Sequence, residues 1–467
     1  MSKKHSVAII GGGFCGTMVA VHLLCQTEVP LEIFLINSGF PLSKGLAYSS
    51  YSHKHLLNVR AKSMSAFADK PNDFVDWITK HENYRVLDQE TLPQMFLPRN
   101  IYGYYLKDVF ENAIRKKSDK TTINFIHDEA IDIEFKDNLA NVYFSVTPSI
   151  TVNKVILATG NQLPLNPRIK SQAFYSSKNY FVNPWLHEAV NHPDPHKEIL
   201  IIGNGLTMAD VVIGLMEKNY KGKIYSLSTN GFDLVPHRDP RPYTGFAEEC
   251  VPPYRLETLV KLFRKHLDAG AKSAELVESI RPLIQSIWQA WTYDEKKWFV
   301  SHLRHLWEVN RHRLPMQVHE QIQQLIIDNK LEIIAGRILD IQENVDDITV
   351  AFRRKRDQKE YKLNVARIIN CTGPAMDINT YTNPLFVNLL DRKLIQPHKL
   401  KMGIEATPTG QVLNREGEVS SFLYTIGSNL KGVLWESTAV PELRVQAKRL
   451  AEEIVRGCFH NPVKSFG

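Results

Sequence analysis

The chain has 467 residues, 43% hydrophobic and 23% charged, enough apolar surface to build a packed core and far too much for a disordered chain. Fifty-seven Lys and Arg against 50 Asp and Glu leave a formal charge of +7, an excess that suits anionic small ligands as well as nucleic acid. The composition therefore predicts a globular protein of about three domain-sized units. No RRM, zinc-finger or helix-turn-helix pattern predicts nucleic-acid recognition, and no long apolar run predicts a membrane span. The cysteines at 15, 25, 250, 371 and 458 are odd in number and lack a C-x-x-C, which predicts no disulfide scaffold, metal site or redox dithiol. The first apolar run is interrupted at once by Gly11, Gly12 and Gly13, unlike a secretory signal, so a cytoplasmic location is expected.

In chain order, Val7 to Ile10 is a short apolar run that predicts a buried parallel strand. A glycine turn follows, then helical periodicity from Thr17 to Cys25 and a second strand at Leu31 to Ile36. The unit recurs later: a strand at Ile199 to Ile202, a turn at Gly203 to Gly205, a helix from Thr207 and a strand at Lys223 to Leu227. Each unit is followed by alternating, hairpin-like strands and an apolar strand stopping at Thr-Gly, at Gly160 and again at Gly373. Such a repeat predicts two related units, the second inserted into the first. Between the repeats, 255–334 reads as a helical insertion broken by Pro282, covering a cleft or serving as a packing appendage. The tail predicts a helix starting near Pro441.

Gly11, Gly13 and Gly16, with Phe14 and Cys15 between them, form G-x-G-x-x-G in the strand–turn–helix–strand context of dinucleotide binding. The first glycine permits the turn, the second lets backbone approach a pyrophosphate, and the third lets helix and strand pack closely. The second strand ends at Asn37 and Ser38, where a carboxylate for the ribose hydroxyls is expected; Asn37 accepts without charge. The second turn carries Gly203, Gly205, Leu206 and Thr207, with Met208 in the third glycine place. Beyond it lie Ser226, Ser228, His237, Arg238 and Arg241, which read either as a 2′-phosphate site or as a solvated basic loop. Two nucleotide sites in one chain predict electron transfer between flavin and nicotinamide, FAD and NAD(P)H. No side chain presents itself as the catalytic acid or base, and no H-E-x-x-H or G-x-S-x-G occurs.

The stretches "VAIIGGGFCG", "GLAYSSYSHKHLLNVRAKSMS", "LPRNIYGYYL", "ILATGNQLP", "IIGNGLTMADV", "NRHRLP", "INCTGP" and "YTIGSNLKGVLWESTAVPELRVQA" span nearly the whole chain. Through them the sequence resembles two-dinucleotide-binding-domain flavoproteins, in particular the FAD/NAD(P)-binding family that includes FAD-dependent urate hydroxylase and aspartate N-monooxygenase. The resemblance implies an α/β fold with two Rossmann-like domains, the NAD(P) domain inserted into a split FAD domain, and a helical subregion. The expected boundaries are 1–165 and 366–467 for FAD and 166–365 for NAD(P). It implies that Gly11, Gly13 and Gly16 hold the FAD pyrophosphate and that Asn37 faces the adenosine ribose. Asn58, Arg60, Ser65 and Arg99 would lie along the FAD, with Thr159 and Gly160 at the crossing between domains. Gly427 and Ser428 stand where relatives place Gly-Asp for the ribityl chain, and Trp435 and Glu436 would lie by the flavin ring. Arg311 and Arg313 in "NRHRLP" read as a guanidinium fork for an anionic small substrate or phosphate, or as a solvated helix end.

The expected function is an FAD-dependent, NAD(P)H-driven monooxygenase that hydroxylates a small polar substrate through a flavin C4a-hydroperoxide. Two alternatives stay open: a reductase or dehydrogenase passing electrons to a partner, and an inactive nucleotide-binding protein. No metal, nucleic acid or membrane partner is expected.

Overall fold

The computed structural model describes residues 4–26, 29–84, 88, 90–237 and 243–460. It divides into two compact units: Met1–Ser50, Val59–Gln162 and Met376–Gly467 form the first, Tyr51–Asn58 and Leu163–Ala375 the second. The second is thus inserted into the first, in an α/β fold.

In chain order the first unit opens with β1 (His5–Ile10), α1 (Phe14–Cys25) and β2 (Leu31–Ile36). It continues with α2 (Asp73–Ile78), α3 (Arg99–Lys116) and β3 (Thr122–Ile126). Then come β4 (Ala130–Lys136), β5 (Leu139–Phe144), β6 (Ile150–Val152) and β7 (Lys154–Leu157). The second unit supplies β8 (Tyr180–Phe181), β9 (Ile199–Ile202), α4 (Leu206–Glu217) and β10 (Ile224–Ser228). After its helical stretch come β11 (Leu331–Glu343), β12 (Ile348–Arg354), β13 (Glu360–Val365) and β14 (Arg367–Asn370). The chain returns to the first unit for β15 (Gln411–Leu413), β16 (Val419–Thr425) and α5 (Val440–His460).

The first sheet runs β15-β16-β7-β1-β2-β3 and the second β13-β12-β11-β10-β9-β14-β8. In each, the strand before the glycine turn is central. β1 pairs parallel with β2 and β7, and β9 pairs parallel with β10 and β14. Both faces of β1 are covered, so Val7, Ala8 and Ile9 are fully buried, which explains a run without polar alternation. The larger of these, Val7 and Ile9, each contribute about 1.5–3 kcal/mol on burial. One difference separates the repeats. β3 and β4 are separate strands, β4 lying in a three-stranded sheet with β5 and β6. In the second unit one long strand does both tasks: Leu331–Ala335 pairs parallel with β10, and Gly336–Glu343 antiparallel with β12.

Three expected boundaries move. β14 pairs with β9, so the return to the first unit falls at Met376 rather than 366. Residues 51–58 group with the second unit although the flanking segments do not. The helical stretch starts at Gly245 and ends at Ile327, not 334, because Leu331 already belongs to β11. Its last helix, Met316–Ile327, is no appendage: Val318 and Ile322 join the core of the second sheet with Ile199, Ile201 and Val212.

Candidate nucleotide sites

Each strand preceding a glycine turn ends in the same backbone arrangement. Gly11 N–H donates to the Ile36 carbonyl at 2.9 Å, and Gly203 N–H to that of Leu227 at 2.8 Å. Gly11 has φ +114° and a Cβ there would lie 2.2 Å from the Ala158 carbonyl oxygen; Gly203 has φ +106° and a Cβ would lie 2.4 Å from that of Cys371. No side chain at either position avoids backbone, so glycine is required. The helices then begin at Gly13 and Gly205, both extended, with neither a side-chain cap nor an acidic residue in the first turn. A Cβ on Gly205 would meet nothing within 4 Å, and one on Gly13 would meet only Gly45 Cα at 3.7 Å. Both helix N-termini therefore present backbone N–H groups, including those of Phe14, Cys15, Leu206 and Thr207, to open space. This is the elementary form of an anion site.

The third position separates the repeats. A Cβ on Gly16 would lie 1.8 Å from the Gly11 carbonyl oxygen, whereas Met208 carries a full, buried side chain. The strand–helix approach is thus tighter in the first unit.

Around the first turn, strand ends bring three loops together. Ser428 Oγ donates to the Gly160 carbonyl at 2.8 Å. Asn429 Nδ2 reaches Thr159 Oγ1 at 3.2 Å and Thr425 Oγ1 at 3.0 Å. A Cβ on Gly427 would lie 3.0 Å from Cys15 Sγ, and Gly427 N–H donates to Gln446 Oε1 at 3.3 Å. The structure so unites Cys15, Thr159, Gly160, Gly427 and Ser428, and adds Asn429 and Gln446, which the sequence reading missed. The Asn two places after Gly427 was the available signal; Gln446 had none, being one polar position in a long helix. Burial pushes the Cys15 thiol up to about 12, so it stays protonated and is no nucleophile. Asn37 lies beside the turn: a Cβ on Gly12 would come within 2.7 Å of its Oδ1, while its Nδ2 donates to the Phe40 carbonyl at 2.8 Å. Ser38 is exposed.

Trp435 and Glu436 are buried at 3% and 7% exposure. Trp435 has φ +61° and ψ −71°, and Glu436 N–H donates to the Leu434 carbonyl at 2.8 Å, a tight three-residue turn rarely adopted by a bulky side chain. Such strain persists only where the surroundings over-determine it, and it concentrates at functional sites.

Other expected residues are placed differently. Ser65 is fully buried, and its hydroxyl donates to the Lys70 carbonyl at 2.6 Å within its own loop. Asn58 belongs to the second unit, where its carbonyl accepts from His237 Nε2 at 2.9 Å; it does not group with the first-unit residues with which it was read. Arg60 is half-buried, bound to Gln94 Oε1 at 2.9 Å and lying over the Phe96 ring. Arg99 is half-buried at the start of α3. Arg311 and Arg313 are not a solvated helix end: they are 8% and 5% exposed. Arg313 Nη2 donates to Glu278 Oε2 at 2.8 Å. Burial lowers the Arg313 pKa; Glu278 opposes this, and Arg311 and Arg281 add to it. Arg238 and Arg241 lie outside the described residues. Among the described residues no cluster of three metal-ligating side chains occurs, and no helix is long and apolar enough to cross a membrane.

Residues 8–162 match the model of an FAD-NAD(P)-binding family. No curated protein matches the chain. Among solved structures, the ornithine hydroxylase of Pseudomonas aeruginosa superposes with a TM-score of 0.67 at 14% identity, covering 97% of this chain and 100% of that one. The ornithine N-hydroxylase of Kutzneria sp. 744 gives 0.66 at 13%, covering 97% and 99%. The chain has the fold of the two-dinucleotide-binding-domain flavoproteins. The same fold is shared, at a TM-score of 0.53 and 11% identity over 97% and 99%, with the bacillithiol disulfide reductase of Bacillus cereus.

Proposed function

We propose that this flavoprotein-fold chain is an FAD-dependent, NAD(P)H-driven monooxygenase of small polar molecules, the first unit taking FAD and the second the nicotinamide nucleotide. One observation carries the reading: two uncapped helix N-termini, each behind a glycine turn with room for a pyrophosphate, repeated in two units of one chain. The polar atoms around the first turn fit a large polar cofactor. Ser437 Oγ and Gln446 Nε2 are buried and, among the described residues, have no hydrogen-bond partner. When bound, FAD and NAD(P)H would supply hydride transfer and oxygen activation.

The chain's own residues would then have distinct tasks. Backbone N–H groups of Phe14, Cys15 and Gly16 would hold the FAD pyrophosphate, a contact that the helix dipole strengthens by about 0.3–1 kcal/mol. Asn37 would accept from a ribose hydroxyl. Asn429, Thr159 and Ser428 lock the loops that flank the turn, and Trp435 with Glu436 would wall the redox ring from water. Gly203, Gly205, Leu206 and Thr207 would repeat the phosphate-holding task for the nicotinamide nucleotide. Arg313 already holds the Glu278 carboxylate, and with the buried Arg311 it would add cationic character suited to a carboxylate or phosphate. An amino acid would meet the small-polar requirement, and the likeness to ornithine hydroxylases supports that class.

The sequence holds no C-x-x-C, the spacing a redox dithiol most often takes, and the five cysteines lie far apart along the chain, which supports oxygen as the electron acceptor. The test is to purify the protein without added flavin, reduce it anaerobically with NADH or NADPH, and admit oxygen with candidate amino acids and purines. A yellow protein giving a hydroxylated product, with nucleotide and oxygen consumed in equal amounts, supports the reading. Reduction of an added acceptor without oxygenated product moves it to a reductase, and a colourless protein that binds neither nucleotide rejects it.

A further inference from the structure

The helical stretch of the second unit places a hydroxyl, an imidazole and a carboxylate in series. The helix Gly245–Glu249 ends at Glu249, and the helix Leu256–Asp268 carries His266 in its last turn. Tyr243 stands two residues before the first of these helices. The two helices pack together, which sets His266 between Tyr243 and Glu249. Its Nδ1 meets the Tyr243 hydroxyl, and its Nε2 lies within ion-pair distance of Glu249 Oε1, at 3.3 Å. Lys265 Nζ donates to both oxygens of Glu249, at 2.9 and 2.8 Å. Phe246 sets its ring edge-on to the imidazole, with centroids 5.6 Å apart. His266 is 7% exposed, so the imidazole is shielded, whereas Tyr243 is only half-buried.

Packing alone does not ask for this set, since an aliphatic residue at 266 would fill the space without burying a polar ring. The proton positions give the set its chemistry. The Glu249 carboxylate favours the imidazole proton on Nε2, which leaves the Nδ1 lone pair for the Tyr243 O–H. When the phenol gives up its proton, the imidazolium formed stands beside an ionised carboxylate. That is the arrangement by which a base, oriented by a third group, activates a hydroxyl nucleophile. The Lys265 ammonium holds the Glu249 carboxyl below the usual carboxylate range, which keeps the acid end charged. Other tyrosines show the opposite arrangement. Tyr143 donates to Glu134 at 3.0 Å and Tyr361 to Asp357 at 2.7 Å, and each carboxylate pushes its phenol up. A carboxylate is too weak a base to take a phenolic proton, while an imidazole is a stronger one by about two pKa units.

We propose that Tyr243 is a nucleophilic tyrosine, activated by His266 and Glu249, that accepts an acyl group from a small activated ester or thioester. The phenolic oxygen attacks the carbonyl carbon as its proton passes to His266 Nδ1. The bond from that carbon to the leaving oxygen or sulfur then breaks, and His266 gives the proton to the departing group. The products are acyl-Tyr243 and a free alcohol or thiol, and nothing is oxidised or reduced. A neutral donor suits the site, because Lys265, the cation beside it, is engaged by Glu249. The inference stands apart from both glycine turns and does not depend on flavin binding.

The test is to mix the full-length protein with p-nitrophenyl acetate, follow the release of p-nitrophenol, and map the acetyl group by peptide mass. The expected result is a burst of about one equivalent per chain, with the acetyl group on Tyr243. Tyr293, 47% exposed, serves as the comparison within the same molecule, and Tyr243 should react about a hundredfold faster. Tyr243→Phe removes the burst. His266→Gln keeps the phenol and slows the burst about a hundredfold. The pH profile separates activation from packing. The wild-type rate rises through the histidine range, near about 6.5, and then levels off, while the His266→Gln rate goes on rising toward the ionisation of tyrosine itself. Thermal unfolding establishes that the variants are folded. Acetylation of Tyr243 no faster than that of Tyr293, or a folded His266→Gln with the wild-type rate and profile, overturns the proposal.

Discussion

The two glycine turns share a backbone and differ in what surrounds it. Gly11 and Gly203 are each pinned against the carbonyl of the strand beyond, with nearly the same φ, yet the first helix needs a third glycine and the second accepts Met208. The backs of the helices differ too. α1 is covered by α5, against which His22 is placed; nine residues past each second glycine, His22 in α1 corresponds to Gly214 in α4. A Cβ on Gly214 would lie 2.6 Å from Tyr51 Oη, because residues 51–58 cover α4 instead. The lesson is that the motif fixes the turn, which must satisfy backbone geometry, while the third position and the helix back follow whatever element packs there.

The comparison breaks most visibly at Gly16. Gly16→Ala drives a methyl into the Gly11 carbonyl, and we expect a loss of about 4 kcal/mol or more, read as a collapse in thermal stability and in bound flavin. Met208→Ala, at the matching place, leaves flavin content unchanged. If both variants keep full colour and stability, the tight approach in the first unit is not needed.

His22 gives the next effect. Burial holds its pKa down to about 4, with Asp69 raising it and Lys448 lowering it. The folded state therefore holds His22 neutral, while the unfolded chain protonates near 6.5. The stabilisation is complete above that pH and is lost as pH falls toward 4, amounting to about 3 kcal/mol. In His22→Gln, denaturant stability should decline less steeply between these limits. An unchanged slope refutes the assignment.

Gly205→Ala sharpens the comparison, since a Cβ there meets no protein atom. Folding and flavin content should match the wild type, while the KM for NAD(P)H rises roughly tenfold, about 1.4 kcal/mol. A KM at the wild-type value would mean that no phosphate approaches this turn. The smallest effect is expected at Asn37→Asp, which replaces a neutral acceptor with a charged one worth about 1 kcal/mol more. Flavin titration of the stripped protein should show several-fold tighter binding; weaker binding would place a phosphate, not a ribose, beside residue 37.

Much of the fold could be read from local pattern. β2 and β9 have the expected bounds, and α1, α4 and β10 begin within a few residues of expectation, because a doubly covered strand is an unbroken apolar run and a glycine turn punctuates it. The helical stretch was overextended because Leu331–Ile334, Leu-Glu-Ile-Ile, is too short a segment to show its period, and its strand identity comes from pairing with β10. Of the candidate site, the two turns, Thr159–Gly160 and Gly427–Ser428 were legible as motifs. That the Ser65 hydroxyl bonds within its own loop and that Asn58 groups with the second unit was not legible, because nothing in a sequence tells where a hydroxyl turns or which unit a connector joins. Asn429 and Gln446 went unread, since their roles exist only when β7, β16 and α5 bring distant residues together.

The sequence by itself determined the repeated strand–turn–helix units and the glycines they require, since turn sterics and strand burial act within a few residues. Tertiary structure alone decided the return at Met376, the cover over each helix back and the partners of every buried polar group. Those depend on hydrogen bonds and contacts between segments tens to hundreds of residues apart, which no local pattern encodes.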